Sequence, residues 1–281
     1  MQPRYTGWLR LLLRAVLALP MIGSGISRLI PVQMPPPFPF DFLRRLGELT
    51  PMELLWTFIG ASPTFQSFTG LAGLAGGLLL LFPRTALLGA LICAANLLMA
   101  VTLSLCYDLP FTPYLSFLLL LAVLLIAPDL RRLANLFLLD RAVEPAEEPV
   151  TARSPQLVML LLALCVIVWT SISAGLRFKE LYPPKPPFYG AWSVEEFAVN
   201  GEEVPMFTDP DRWQRVAIQE PGALDVELMI GSRKRFPKAA FSFAQPEPDV
   251  LILEGRRMRA KLRRMPLSSS WFHWILDMDE E

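Results

Sequence analysis

Leu157-Val158-Met159-Leu160-Leu161-Leu162-Ala163-Leu164-Cys165-Val166-Ile167-Val168-Trp169-Thr170-Ser171-Ile172-Ser173-Ala174-Gly175-Leu176 carries no charge, and Arg177 and Lys179 close it. A bilayer core takes about 20 apolar residues as a helix, so the run reads as a membrane span. Tyr182-Pro183-Pro184-Lys185-Pro186-Pro187 follows. Such a cluster cannot continue a helix and forms a stiff polyproline spacer. From Phe188 onward the hydrophobic period becomes two, as strands require. One stretch therefore divides the chain into a membrane part and a β part.

Four more runs of this kind lie upstream: Trp8 to Ile30, Thr64 to Phe82, Thr85 to Leu105 and Thr112 to Ala127, only the last of them short. The 53% hydrophobic content exceeds the roughly 45–50% of soluble domains. The first run resembles a signal peptide, with Arg4 and Arg10 at its head, but Arg14 interrupts it and no small-residue cleavage site follows. A retained helix is expected, with a cleaved signal as the alternative. Tight turns at Phe82-Pro83-Arg84 and Tyr107-Asp108-Leu109-Pro110 make the bundle up-and-down. Thr50-Pro51-Met52-Glu53 is a capping box with proline at the first helical position. It predicts a short interfacial helix from Pro51 to about Gly60, with Leu54, Leu55 and Phe58 on its apolar face. After Asp129, the spacing of Leu130, Leu133, Ala134, Phe137 and Leu138 predicts a second, surface-lying helix.

The expected organisation is a four-helix bundle over 1–141, a linker over 142–156, a fifth span over 157–177, a spacer over 178–187 and a β domain over 188–281. In that domain Leu224, Val226, Leu228 and Ile230 alternate with Asp225, Glu227 and Met229 as a half-buried strand. Asn200-Gly201 is a hairpin turn signal, and Pro221-Gly222, Gly231-Ser232 and Pro246-Glu247-Pro248-Asp249 punctuate later strands. About six or seven antiparallel strands in a meander are expected, curled into a small barrel or half-barrel. With a cytoplasmic N-terminus, Arg4, Arg10, Arg84, Arg131, Arg132, Arg141 and Arg153 lie inside. Arg28, Arg44, Arg45, Arg177, Lys179 and Lys185 then lie outside. The loop at Tyr107 lacks Lys and Arg, which favours this orientation. Five crossings then put the β domain on the extracytoplasmic side of the plasma membrane.

The chemical inventory is sparse. No span carries Asp, Glu, Lys or His in its apolar core, which argues against a proton-coupled transporter. The single histidine, His273 in Trp271-Phe272-His273-Trp274, excludes a bis-histidine haem and reads as a strand residue rather than a metal ligand. Cys93 and Cys106 are about 19 Å apart along one helix and cannot bridge; with Cys165 they read as buried small apolar residues. No catalytic, metal or resident cofactor site emerges, and a net charge of zero gives no field for nucleic acid.

Polar candidates in the bundle are Arg14, which either snorkels or binds an anionic head group or quinone carbonyl, Asn96 as interhelical glue, and Tyr107 and Asp108 at the outer mouth. Asp108 serves its own turn or pairs with Arg28 or Arg44. Gly73 and Gly77 form a GxxxG seam for a helix of this chain or of a second copy. In the β domain Arg257, Arg259, Lys261 and Arg263 alternate on one strand face. They form either an anion or lipid contact or a solvated face neutralised by Asp225 and Glu227.

Gly70 to Leu81, Pro83-Arg84-Thr85-Ala86-Leu87-Leu88-Gly89-Ala90-Leu91, Cys106-Tyr107-Asp108-Leu109-Pro110, and Leu118 to Pro128-Asp129-Leu130-Arg131-Arg132-Leu133 occur in this order. Together they resemble the DoxX-like family of small four-helix membrane proteins over about residues 5–141. The resemblance implies a plasma-membrane protein, with some relatives linked to quinone-dependent sulfur oxidation or to redox maturation of partner enzymes. Where relatives often carry a glutamate in the second span this chain has Gly73, and where a histidine often opens the fourth it has Phe117. Gly190-Ala191-Trp192 is similar to the Gly-x-Trp start of lipocalin-like barrels. Two functions are thus expected: a non-enzymatic anchor whose β domain binds a membrane or extracytoplasmic protein or a lipid-like ligand, or a redox-associated subunit meeting quinone or an oxidoreductase.

Overall fold

A computed structural model of the chain describes residues 4–39, 41–137, 139, 153–182, 185, 188–206, 209–218, 223–228, 233–237 and 240–265. The chain forms two compact units, Met1–Pro35 with Pro51–Tyr182, and Pro36–Thr50 with Pro183–Glu281. Of the linker expected over 142–156, residues 142–152 lie outside the described residues while 153–156 are helical; most of the proline cluster 182–187, the turns at Pro221-Gly222 and Gly231-Ser232, and His273 also lie outside them.

The first unit is helical: α1 (Arg4–Leu29), α2 (Pro51–Gly60), α3 (Pro63–Leu80), α4 (Ala86–Cys106), α5 (Thr112–Ile126), α6 (Leu130–Phe137) and α7 (Arg153–Leu181). Four stretches are long and apolar enough to cross a bilayer: Gly7–Leu29, Pro83–Cys106, Thr112–Asn135 and Ser154–Leu181. The chain is a multi-pass, membrane-associated protein by that measure. The remaining expected span, 64–82, corresponds to α3 and is not in that set. Glycines and Gln66, Ser67 and Thr69 replace large apolar side chains in it.

Close packing explains that composition. Gly70, Gly73, Gly76 and Gly77 of α3 are all buried. A Cβ on Gly70 would stand 2.6 Å from the Leu29 nitrogen, and one on Gly25 of α1 would stand 2.6 Å from the Leu74 nitrogen. On Gly77 it would meet Ile22 of α1 at 2.8 Å, and on Gly73 it would meet Asn96 of α4 at 3.2 Å. Small residues let the backbones touch, which is how helices associate where no water drives them together. The Gly73 and Gly77 seam is therefore filled from within the chain, by α1 and α4.

α3 starts at Ser62, whose Oγ accepts from the Phe65 N–H at 3.3 Å, with Pro63 opening the helix. α2 occupies the predicted residues. Leu55 and Ile59 pack with Leu109 and the half-buried Tyr107 across the α4–α5 turn, while Phe58 is exposed. Around Pro128 the chain tightens into a 3₁₀ turn (Ala127–Asp129) before α6, whose Leu133 packs on the bundle core. At the far end of α1, Gln66 clamps the backbone of Met34, donating to its oxygen at 2.8 Å and accepting from its nitrogen at 3.2 Å. Tyr182, after α7, donates its hydroxyl to the Pro31 oxygen at 3.1 Å. The ends of α1 and α7 therefore meet, and the two helices run parallel. Of the three thiols only Cys93 is buried; Cys106 and Cys165 are exposed on the outer surfaces of their helices, where an apolar sequence context cannot distinguish packing from lipid contact.

The second unit is an antiparallel sheet of β1 (Gly190–Val199), β2 (Glu202–Glu203), β3 (Trp213–Ile218), β4 (Ala223–Leu228), β5 (Arg233–Pro237), β6 (Phe241–Glu247), β7 (Val250–Gly255) and β8 (Met258–Arg264). The path runs β5-β4-β3-β1-β8-β7-β6, with β2 folded back on β1. Along the path β1 pairs with β3 and β8, and the remaining neighbours are consecutive strands except β5 and β6, which stand at its two ends. The expected meander is thus joined between its first and last long strands and interrupted between β5 and β6. β2, the strand off the path, is a short return arm after Asn200-Gly201, where both residues have positive φ, 56° and 87°. A two-residue turn of that hand matches strand twist. Trp192, Trp213, Phe197, Leu251, Leu253 and Leu262 fill the core.

β4 departs from the half-buried pattern. Leu224, Val226 and Leu228 are buried, but Asp225 and Glu227 are also only 7% and 2% exposed. The segment 36–50, which the sequence assigns to the bundle, belongs to this unit and supplies part of the cover. It forms 3₁₀ turns at Asp41–Leu43 and Leu46–Glu48, buries Leu43 completely, and brings Arg45 to 3.9 Å from Glu227. Arg215 on β3 approaches the other Glu227 oxygen at 3.6 Å. Burial, helped by the charge of Asp41, pushes the Tyr189 phenol above its ordinary pKa.

The α1–α3 contact predicts that Gly25→Ala destabilises the detergent-solubilised protein by about 1–3 kcal/mol, because the methyl meets backbone that cannot retreat. Gly175→Ala, with open space around it, should be neutral or stabilising by up to about 1 kcal/mol. Equal thermal shifts for the two variants would refute the packing account.

Candidate functional site

The charged and polar candidates resolve into separate places. Arg14 does not snorkel. It is 5% exposed, and its Nε donates to the Leu80 oxygen at 2.8 Å, at the C-terminal end of α3. A cation there complements the helix dipole and satisfies a carbonyl that has no partner within the helix. Gln156 of α7 donates to the next carbonyl, Leu81, at 2.5 Å. Nearby, the two oxygens of Asp129 take Arg10 and Arg132, each at 3.0 Å. Five polar side chains from α1, α6, α7 and the α5–α6 turn thus gather at the end of the bundle where α1 begins.

Asn96 donates to the Thr69 oxygen at 3.0 Å and is buried between α3 and α4, as interhelical glue should be. Asp108 is exposed with φ 51°, so its left-handed turn is its visible role. Arg28 donates to Gln33 rather than to Asp108. Asn96 is eleven residues before Tyr107 on α4, roughly 16 Å along the axis. The structure therefore does not bring Asn96, Tyr107 and Asp108 together as one quinone-sized site.

On the sheet, β8 lies between β1 and β7, so Asp225 and Glu227 on β4 are not its neighbours. The basic ladder is neutralised by other acids. Arg259 pairs with Glu254 at 3.2 Å, Lys261 with Glu196 at 2.8 Å, and Arg263 with Glu195. The Glu196 carboxylate raises the Lys261 pKa. Arg257 makes no ion pair among the described residues; its carbonyl accepts from Asn200 at 2.8 Å. Trp192 is buried, donates to the Phe188 oxygen at 3.1 Å and has the Arg264 guanidinium 6.0 Å from its ring centre. Its indole is spent on packing and capping.

Arg212 was not singled out from the sequence. Only 2% exposed, it donates to the oxygens of Val204, Trp213 and Glu195 at 3.0, 3.1 and 3.2 Å. One side chain thus binds β1, β3 and the chain after β2. Nothing in Asp209-Pro210-Asp211-Arg212 separates it from an exposed turn arginine. Among the described residues no three His, Cys, Asp or Glu side chains could jointly hold a metal ion.

A curated relative, the uncharacterised protein YwoB of Bacillus subtilis (strain 168), is 28% identical to this chain over 118 residues, which cover 39% of this chain and 71% of YwoB. No family model and no solved structure matches the chain.

Replacing Arg212 with Met should lower the opening free energy of the β1 and β3 amides by about 3 kcal/mol, since one buried and two partly buried carbonyls lose a charged donor. Hydrogen exchange on the intact protein measures it, and a change below about 0.5 kcal/mol would mean the carbonyls find other donors.

Proposed function

We propose that the chain is a DoxX-like, five-span protein of the plasma membrane whose bundle is a non-enzymatic anchor and whose β unit captures a partner protein on the extracytoplasmic side. The observation that carries this reading is how the polar groups are used. Asn96 is committed to a helix contact, Tyr107 lies under α2, and the sheet interior is filled by Trp192, Trp213 and Phe197. A filled sheet offers its outer surface and edges rather than a cavity, which favours a protein over an enclosed lipid-like ligand. The redox alternative finds no comparable support, because its three polar residues do not converge.

Chain parity supports five crossings. Residues 36–50 and the sheet form one unit, and between them the chain runs through α3, α4, α5 and α7. An odd number of crossings there would part the segment from its own unit. Counting α3 with the three more apolar helices gives an even four, which supports the five-span reading; its lower hydropathy is offset by burial against α1 and α4.

Labelling with a membrane-impermeant thiol reagent tests the topology. Gly47→Cys and Glu202→Cys should react from one side of the membrane and Arg131→Cys from the other. Reaction of positions 47 and 202 from opposite sides would overturn the five-span reading. For the anchor role, a photocrosslinker at Arg259 in the full-length protein should capture one defined membrane or extracytoplasmic protein, and organic extraction should release no stoichiometric quinone. Stoichiometric quinone would instead favour the redox reading.

A further inference from the structure

Three polar atoms at the end of the bundle where α1 begins are buried without a hydrogen-bond partner among the described residues: Nη2 of Arg14, Nε of Arg132 and Oε1 of Gln156. They belong to one connected region. Arg14 and Gln156 reach adjacent carbonyls, Leu80 and Leu81. Arg10, one turn before Arg14 on the same face of α1, shares Asp129 with Arg132. Among the described residues, these three guanidinium groups therefore have a single carboxylate between them.

Arginine cannot shed its proton to escape burial. A charged donor left unpaired in an apolar setting is costly, and its natural partner is an anion. Gln156 presents the opposite need, an acceptor waiting for a donor. At the same residue levels of α1 and α7 runs an apolar groove of about 390 Å³, lined by Trp8, Leu11, Leu12, Val158, Met159 and Leu162 among others. That volume falls within the range of small-molecule sites, where an apolar lining surrounds a few oriented polar groups.

We propose that this end of the bundle is a binding site for an anionic phospholipid with a hydroxylated head group. Arg14 donates through Nη2 to a phosphate oxygen, Arg10 and Arg132 supply the surrounding positive charge, a head-group hydroxyl donates to Gln156 Oε1, and one acyl chain lies in the α1–α7 groove. The charge excess selects an anion, the unfilled acceptor selects a hydroxyl, and the groove selects a lipid over free phosphate. The proposal rests on the bundle lying in lipid and is independent of what the β unit binds.

The test uses the full-length protein in detergent and in nanodiscs, with native mass spectrometry counting retained lipid. Phosphatidylglycerol should be retained in preference to phosphatidylcholine. Arg14→Gln should weaken that retention about tenfold or more, the worth of one hydrogen bond to a charged group. Arg131→Gln, on the exposed side of α6, should leave it unchanged. Equal retention of the two lipids, or undiminished retention by Arg14→Gln, overturns the site. Displacement of phosphatidylglycerol by millimolar inorganic phosphate would assign the pocket to a free anion and also overturn it. Should Arg14→Gln fail to assemble, Gln156→Leu keeps every charge and should lose the preference for phosphatidylglycerol over phosphatidic acid; an unaltered preference refutes the head-group contact. Thiol labelling reads membrane topology separately, so failure here leaves the anchor reading standing.

Discussion

The contact on which the rest of the bundle depends is the backbone-to-backbone approach of α1 and α3. Gly25, Gly70 and Gly77 leave no room for a Cβ between the two helices. That proximity brings side chains of each helix within reach of the other's unpaired terminal carbonyls. Arg14 meets the Leu80 oxygen at one end, and Ser67 meets the Leu29 oxygen at 3.2 Å at the other. Were α3 built with leucine at its glycine positions it would be more hydropathic and less able to pack. The same choice of residues that makes α3 an unremarkable span by composition makes it the helix that organises its neighbours.

Gln66 extends this arrangement past the end of α1. By gripping both polar atoms of Met34 it fixes where the chain leaves the bundle, and Tyr182 fixes the exit of α7 against Pro31. Both departures toward the β unit thus begin from one corner of the bundle. A side-chain amide bonded twice to one backbone residue satisfies groups that would otherwise be buried and unpaired. The cost of losing it would be felt at the join.

Local chemistry was legible in the sequence. The proline and glutamate at Pro51 and Glu53 located α2 to the residue, the Asn200-Gly201 pair gave the hairpin, and the apolar runs gave the long helices. What escaped was set by distant partners. Nothing around Glu227 indicates that a segment some 180 residues upstream, carrying Arg45 and Leu43, covers its face of the sheet. Arg212 has the local context of a surface turn and the structural role of a clamp. Arg14 could be narrowed to two fates, and only the position of Leu80 decided between them. Arg259, Lys261 and Arg263 alternate along β8 while Arg257 falls in the turn before it, and the acids that pair with the three depend on strand order, which periodicity does not contain.

Strand order also bears on what the sheet can do. Pairing of β1 with β8 joins the first and last long strands, so the path's two ends are β5 and β6. Ends of that kind carry backbone groups able to accept another strand, and proteins commonly guard them with charge or proline. Here β5 contributes Arg233-Lys234-Arg235 and β6 contributes Pro246, residues that disfavour indiscriminate edge pairing. With the ladder on β8 paired and the interior filled, selectivity for the proposed partner would rest on side chains around the strand ends and turns. There Arg256 and Arg257 border an open polar depression between the β1–β2 and β7–β8 turns. Under the proposed function such a surface would recognise by charge and shape, with no chemistry required of the bundle.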